Sequence, residues 1–477
     1  LSRLTFNGIS KTYLKIARDW SLPGWAPIER EYLTVPQRAG GIPKRMQTGM
    51  RRFDIPIIID SKTLIEKEAF VEDMAKWLIH EKAKPLVFSK YPNRTFFAEI
   101  EGAPVFSEMW MRGKGVISIV CSDPFKYGEE RTVDFVDGAA IVNNEGSANA
   151  KPIYEFDVLG DLTHLDVYTD FAYIRAGEET PIDVPIYQQQ TLLLNDSMKT
   201  LTGWTDVLNV DNGYVTGTMT ATQTGFTPTS FGVEESPRNW QGPAKERTIP
   251  DGPVQNFQMR ATVELLNVGK QTGMIEIYCM DVDGNTVIKV GIEDIMQSIS
   301  EVQAKFQLGN IENRKVQNYR TADYKPAWNN YKGILRLFRS GNRIRPYFAL
   351  VQPDGKYDWV SSNYVYTDDL GEYMAPISRI KVAIRKWPGT SEAVMKVRDL
   401  KVWRLNDPQE GVPIIASAED KIVIDTNDSS IRLNGEERKD LKEFGASFFK
   451  LPPGSTAVLV QPFEKVVGKV RYKEPFR

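Results

Sequence analysis

The chain has 477 residues, 41% hydrophobic and 26% charged, with a formal net charge of -2. That length exceeds what one hydrophobic core organises and predicts about two to four domains. The balanced charge removes any general electrostatic reason to bind nucleic acid or an anionic membrane. Cys121 and Cys279 lie too far apart in sequence to suggest a disulfide framework, so packing must supply the stability. No apolar run approaches the roughly 20 residues that cross a bilayer, and the start "LSRLTFNGIS" lacks the apolar core of a secretory signal. A soluble chain without membrane insertion is expected.

Strands dominate from the beginning. In "LTFNGIS" the pair Asn7-Gly8 sits between short apolar runs, which predicts a tight hairpin turn needing positive φ at both centres. "RRFDIPIIID" reads as an extended run in which Pro56, lacking an N–H, argues for an edge or a bulge. One helix is predicted, in "SKTLIEKEAFVEDMAKWLIHEK", with Ser61 as N-cap and Leu64, Phe70, Met74, Trp77 and Leu78 on the face that meets a sheet. Four short β-rich runs follow, "KPLVFSK", "RTFFAEIEG", "PVFSEMWMR" and "GVISIVCSD", and a first domain is expected to end near Thr132.

From Val133 the same style continues through "AAIVNNEGSANAKPIYEFDVLG" and "THLDVYTDFAYIRAGEETPIDVPIY". Too few strands pass before "LLLNDSMKTLTGWTDV" to close a sandwich, and strands of matching character resume only with "DKIVIDTNDSSIRLNG", "FFKLPPGSTAVLVQP" and "GKVRYKEPF". Residues 191–408 are therefore expected to be an insertion into a host domain made of 133–190 and 409–477. Insertion of this kind is tolerated when the inserted unit's ends lie close together. Inside it, long antiparallel-style runs turn at Asp283-Gly284-Asn285, Ser340-Gly341-Asn342 and Asp354-Gly355, which predicts a β-sandwich. The run "AVMKVRDLKVWRL" should pair near the opening strand and return the chain to the host.

Enzymatic and metal chemistry finds little support. The two histidines, His80 and His164, read as structural, which argues against a Ser/His/Asp triad or a histidine-rich zinc site. "DVDGN" at Asp281 starts like a calcium loop, but Thr286 replaces the turn glycine and Ile292 the bidentate glutamate, so a hairpin turn explains it better. "GKG" at Gly113 lacks the rest of a phosphate loop and reads as a turn. No catalytic residue, metal ligand or cofactor is assigned; a paired-carboxylate glycoside hydrolase stays open, because carboxylate separation is a property of the fold.

The order "FNGIS", "VPQRAGGIPKRMQTGMRRFDIPI", the helix leading into "AKWLIHEKAKPLVFSKYPNRTFFAEIEG", and "GKGVISIVCSDPFKYG" resembles the N-terminal domain of the siphophage distal tail family. "VNNEGSANAKPIYEF" and "SIRLNGEERKDLKEFGASFFKLPPGSTAVLV" are similar to that family's C-terminal galectin-like sandwich. The resemblance covers residues 1–190 and 410–477. It implies a mostly β chain: an N-terminal β-sandwich over 1–132 with one helix and an extended arm, then a galectin-like β-sandwich interrupted by a jelly-roll-like one. It also implies a virion protein at the distal end of the tail, made in the bacterial host cytoplasm. Its N-terminal domains would form a hexameric ring, with residues 35–52 as the arm embracing a neighbour and Arg38, Gly41, Lys44, Arg45 and Arg51 as its contacts. Implied partners are the tail tube protein, a tail tip, fibre or lysin protein, and a receptor-binding protein.

Enlarged members of the family carry lectin-like or carbohydrate-binding sandwiches, so this insert is expected to bind host cell-wall polysaccharide. An architectural insert docking other baseplate proteins is the alternative. Sugar rings stack their C–H faces on aromatic rings and need planar polar partners for their hydroxyls. Trp204, Trp359 and Trp403 fall in strand-like surroundings and read as core. Trp240 in "SPRNWQGP" and Trp328, Asn329, Asn330 and Tyr331 in "KPAWNNYKG" fall in turn-rich surroundings and are the candidate sugar contacts.

Overall fold

A computed structural model of the chain describes residues 3–18, 20–104, 112–319, 325–361 and 364–477. The expected strand "PVFSEMWMR" lies, but for its ends, outside the described residues. Two compact units result, the second (Glu178–Ala416 with Arg432–Glu437) interrupting the first in sequence.

The first unit opens with the Asn7-Gly8 turn, at φ 50° and 77°, across which Phe6 and Ile9 exchange both backbone hydrogen bonds. Strand Arg51–Asp60 pairs along its whole length with Arg112–Cys121 and turns Phe53, Ile55, Ile57 and Ile59 into the core. Gly113–Gly115 lie inside that second strand, so "GKG" is not the turn expected from sequence: its glycines pair with Ile57–Ile59. On the other side the short strand Leu14–Ile16 pairs only with Ile57–Ile59, and beyond it Ala17 N donates to Pro56 O. Pro56 thus sits where the neighbouring strand ends and no N–H is required of it.

The helix spans Leu64–Leu78. Its N-cap is Thr63, whose hydroxyl accepts from Glu66 N at 3.1 Å, whereas Ser61 is buried two residues upstream. Met74, Trp77 and Leu78 are buried, and the Trp77 indole donates to Phe6 O at 3.0 Å. Phe70 is only partly buried and stacks on Tyr13, with centroids 4.2 Å apart. Leu64, expected on the buried face, is 61% exposed beside Ile65 at 81%, so the first turn contributes no core contact. His80 stacks on Phe6 and its ring nitrogen meets Trp77 O at 3.0 Å, a structural role.

Strand Val466–Phe476 joins the two halves of the first unit: it pairs with Lys126–Asp134 on one side and Ile153–Val158 on the other. Ile153–Val158 in turn pairs with Lys421–Asp425, from beyond the interruption. A smaller sheet brings Ala139–Asn144 against Gly454–Gln461, which also pairs with His164–Tyr168. Strands separated by more than 250 residues in sequence therefore complete one another's ladders.

Within the second unit, strand Gln190–Asp196 pairs with Val394–Leu405. Just outside them Ile186–Tyr187 and Val412–Pro413 run parallel, so the entering and leaving chain lie side by side. Among the described residues, a nine-stranded and a seven-stranded sheet enclose one core. Met259, Ala261, Val263, Leu335, Leu337, Phe348, Leu400 and Val402 come from the first sheet. Ile275, Ile277, Ile288, Val290, Ile292, Phe306, Val382 and Ile384 come from the second. The three Gly-centred turns expected from sequence each connect paired strands. Asp281 closes the first by accepting from Asp283 N, Asn285 N and the Asn285 amide, the bonds of a turn. Both cysteines are buried and free, and burial pushes each thiol up to about 12.

Candidate functional site

The structure separates the candidate sugar residues. Trp328 and Tyr331 are fully buried in the sandwich core, the first donating its indole N–H to Trp359 O at 3.0 Å, the second its hydroxyl to Ile334 O and Ala349 O. Their rings meet edge to face, 6.0 Å apart, and neither face is open to a sugar. Asn329 is spent on the backbone of a neighbouring loop, accepting from Val302 N and donating to Ser300 O. Asn330, at φ 56°, takes a turn position and gives its N–H to Asn267. The group expected as a sugar contact is thus a loop anchor, because its turn chemistry serves to plug the end of the core. Trp204 is core as expected, but Trp359, expected there, is 39% exposed.

Trp240 is half-buried, with Trp387 edge to face against it at 5.7 Å. It lines a cavity of about 90 Å³ together with Asp211, Asn212, Glu276, Lys289, Glu293 and Arg385, and with Met274, Ile295, Lys305 and Arg314. This cavity lies on the outer face of the seven-stranded sheet.

Alternation builds that face. In strands Gly273–Met280, Thr286–Asp294, Gln303–Leu308 and Arg379–Arg385 alternate central residues are apolar and face the core, which leaves the others on one outer surface. Register aligns them in three rows: Arg385, Met274, Glu293, Gln303; Ala383, Glu276, Gly291, Lys305; and Lys381, Tyr278, Lys289, Gln307. The middle row has small residues on both sides of Glu276. At Gly291 a Cβ would fall 2.8 Å from Ile275 O and 3.3 Å from Glu276 Cγ, so only glycine lets Glu276 lie as it does.

An outer sheet face would ordinarily be solvated, but here Glu276, Lys289, Glu293 and Arg385 are each at most 3% exposed. Residues 207–215 cross the face and cover part of it. Val207, Val210 and Val215 pack with Ala244, Tyr278, Met280 and Ala383. Asn209 O accepts from Lys381, Asp211 from Gln307 at 2.8 Å, and Asn212 O from Arg385 at 3.0 Å.

Beneath this strap, Glu276 accepts from Tyr278 OH at 2.9 Å, from Arg385, and pairs with Lys289 at 2.9 Å. Burial alone would raise its carboxyl, but the Arg385 guanidinium and the Lys289 ammonium outweigh burial and hold it at about 2. Burial draws the Lys289 ammonium below its ordinary value, and burial with Glu276 nearby lifts the Tyr278 phenol well above its own. Three buried polar atoms on the lining residues remain without a hydrogen bond: Arg385 Nε, Glu293 Oε2, which is 3.6 Å from Lys305 Nζ, and Glu276 Oε1, which is 2.9 Å from Lys289 Nζ. Among the described residues no group of His, Cys, Asp and Glu is arranged to hold a metal.

In the first unit, the expected arm is a free-standing two-stranded hairpin, Ile28–Thr34 with Gly41–Thr48. Every residue but Thr48 is exposed, including Tyr32, Leu33, Ile42 and Met46. Arg38, Gly41, Lys44 and Arg45 belong to it, Lys44 pairing with Glu31 at 3.0 Å. Arg51 does not: it is 1% exposed, donates to Pro124 O and Pro23 O, and lies over the Phe96 ring. Its planar fork ties two proline-containing turns to the core, so it has no surface to offer a neighbour.

Residues 9–121 match the model of the phage tail protein RIFT-related domain, and residues 388–476 that of the siphovirus-type tail component C-terminal domain. Both ends of the chain are thus similar to proteins of the siphophage distal tail family. The distal tail protein of Bacillus phage SPP1 is 34% identical over 77 residues, 16% of this chain and 30% of the relative, so the match spans under a third of that relative's length. The crystal structure of SPP1 Dit aligns over 100% of both chains with a TM-score of 0.41 and 10% identity. The CBM2 module of the evolved Dit of Lactobacillus casei BL23 phage J-1 aligns over 46% of this chain and 99% of its own, with a TM-score of 0.38 and 14% identity.

Proposed function

We propose that this chain is a distal tail family member, a structural hub of the tail tip, and that its second unit is a polysaccharide-binding insert. The observation that carries the reading is the order of the parts. Family matches at both ends of the chain bracket a sandwich with its own core, entered and left through adjacent strands. In this reading residues 1–132 form a hexameric ring, 133–190 and 409–477 form the galectin-like host, and 191–408 are the added module. The exposed apolar hairpin embraces the neighbouring copy through Tyr32, Leu33 and Ile42, with Arg38, Lys44 and Arg45 beside them. The ring would join the tail tube to tip, fibre and receptor-binding proteins of the virion. Six modules on one ring would hold a host wall through contacts that are individually weak, because linkage raises avidity without a tight single site.

The role assigned is binding rather than hydrolysis. At the cavity Glu276 is not the protonated carboxyl that a glycosidase needs near neutral pH, because its cationic partners hold it at about 2. Solution mass and particle imaging of the intact chain test the hub. A six-membered ring is expected, and a species that stays monomeric alone and with its tail tube protein would overturn it. Sedimentation with purified walls of the phage's host tests the module: loss of wall binding on removal of 191–408 is expected. If removal disturbs only particle assembly, the module is architectural. Release of reducing ends from the walls would make it an enzyme.

A further inference from the structure

The polar rows of the seven-stranded sheet carry more detail than a general adhesive role requires. We infer that the cavity over Glu276 and Glu293 is a subsite for the edge of a neutral glycan, entered by a hydroxyl or hydroxymethyl group beside Trp240. The inference rests on the polysaccharide-binding reading and names its site and ligand class.

Three observations lead to it. At about 90 Å³ the cavity is well under the roughly 300–1,000 Å³ of pockets that engulf a whole small molecule. It admits a substituent or a ring edge while the rest of the sugar stays at the mouth, where the half-buried Trp240 offers an apolar wall. Second, the buried charges at the cavity already have partners, Glu276 in Arg385, Lys289 and Tyr278, Asp211 in Gln307, and Glu293 in Gln303 and Lys305, while Arg314 belongs to the exposed part of the lining. Third, the buried polar atoms without a hydrogen bond on the lining residues are Arg385 Nε, Glu293 Oε2 and Glu276 Oε1, the last 2.9 Å from Lys289 Nζ, which leaves one buried donor and one buried acceptor without a close partner.

A hydroxyl both donates and accepts, so it suits a donor and an acceptor together. A phosphodiester or carboxylate would meet the open Glu293 oxygen, and an ammonium would meet Arg385 and Lys305, each a like-charge contact in a buried setting. The buried groups of the cavity therefore disfavour both kinds of charged polymer. Sequence places the sheet residues of this group economically: the four strands that supply them also supply a third of the core.

The test uses the full chain immobilised, with neutral glucan, galactan and mannan, polygalacturonate and poly(glycerol phosphate) as probes. Binding of at least one neutral polymer is expected, unchanged by salt and weakened at least tenfold by Trp240→Ala and by Glu293→Gln. Lys305→Gln, at a partly exposed position, gives a second variant should Glu293→Gln unfold, and thermal unfolding of each variant establishes that it does not act through the fold. Preferential, salt-sensitive retention of an anionic polymer would overturn the ligand class. Neutral binding that all three variants leave intact would overturn the site and leave the polysaccharide reading standing. Retention of none of the probes would overturn both.

Discussion

Replacing Glu276 with glutamine isolates the charge at the centre of the sheet face. The side chain keeps its shape, but Arg385 and Lys289 lose their counter-charge while remaining 2% and 3% exposed. The folded carboxyl is held at about 2 against an ordinary 4.5. At roughly 1.4 kcal/mol per pH unit, that gap is worth about 3 kcal/mol of stability. The figure agrees with the roughly 3–5 kcal/mol lost when one partner of a buried ion pair is removed. Because the folded value is depressed, the contribution is fully present above pH 4.5 and disappears as pH falls towards 2. Stability of the wild-type chain should therefore exceed that of Glu276→Gln by about 3 kcal/mol at pH 7, and the two should converge by about pH 2. Hydrogen exchange followed by mass spectrometry over 273–294 and 379–385 reads the change in the right strands, where it amounts to a protection factor lower by on the order of a hundredfold. A difference below about 1 kcal/mol at pH 7, or one constant between pH 6 and 3, would refute the reasoning.

Other substitutions separate packing from recognition. Trp328→Ala should destabilise the second unit by about 3–5 kcal/mol in thermal or denaturant unfolding; unchanged stability with lost glycan binding would restore Trp328 as a sugar contact. Arg51→Ala should lower the stability of the first unit, leaving two carbonyls without donors, by about 1–3 kcal/mol for each group left unsatisfied. Arg45→Ala on the hairpin should stay within about 0.5 kcal/mol of wild type in unfolding and change only the solution mass of the assembly. Gly291→Ala should cost about 1–3 kcal/mol by forcing Glu276 aside, visible as a lower melting temperature.

Much of the architecture is legible in the sequence because its signals are local. Asn7-Gly8 and the three Gly-centred turns of the second unit state their own conformations, and alternation in "VIKVGIED" marks which residues face a core. Legibility fails where a residue's meaning depends on what covers it. Glu276, Lys289, Glu293 and Arg385 occupy the alternate positions that normally meet water, and nothing nearby in sequence announces the strap of residues 207–215 that buries them. Their one advance sign is opposite charges on one face of successive strands, a pattern also found on ordinary solvated sheets. Trp328 misleads for the converse reason: its polar, turn-rich neighbours suggest a surface loop, yet that loop folds inward and caps the sandwich. Arg51 lies close in sequence to a basic hairpin and far from it in environment. Thr63 takes the cap instead of Ser61 because the first helical turn begins with Leu64, beyond the buried part of the helix.

The parallel pairing of Ile186–Tyr187 with Val412–Pro413 leaves the two ends of the second unit about 5 Å apart, the spacing of neighbouring strands. Closing so small a gap takes only a few residues and little chain entropy. A recombination event at these positions can remove the module, or exchange it for another of unrelated sequence, without lengthening or stretching the chain on either side. The two-residue junction is thus a place where the second unit can be cut out or exchanged while the ladder between Ile153–Val158 and Lys421–Asp425 keeps both of its strands.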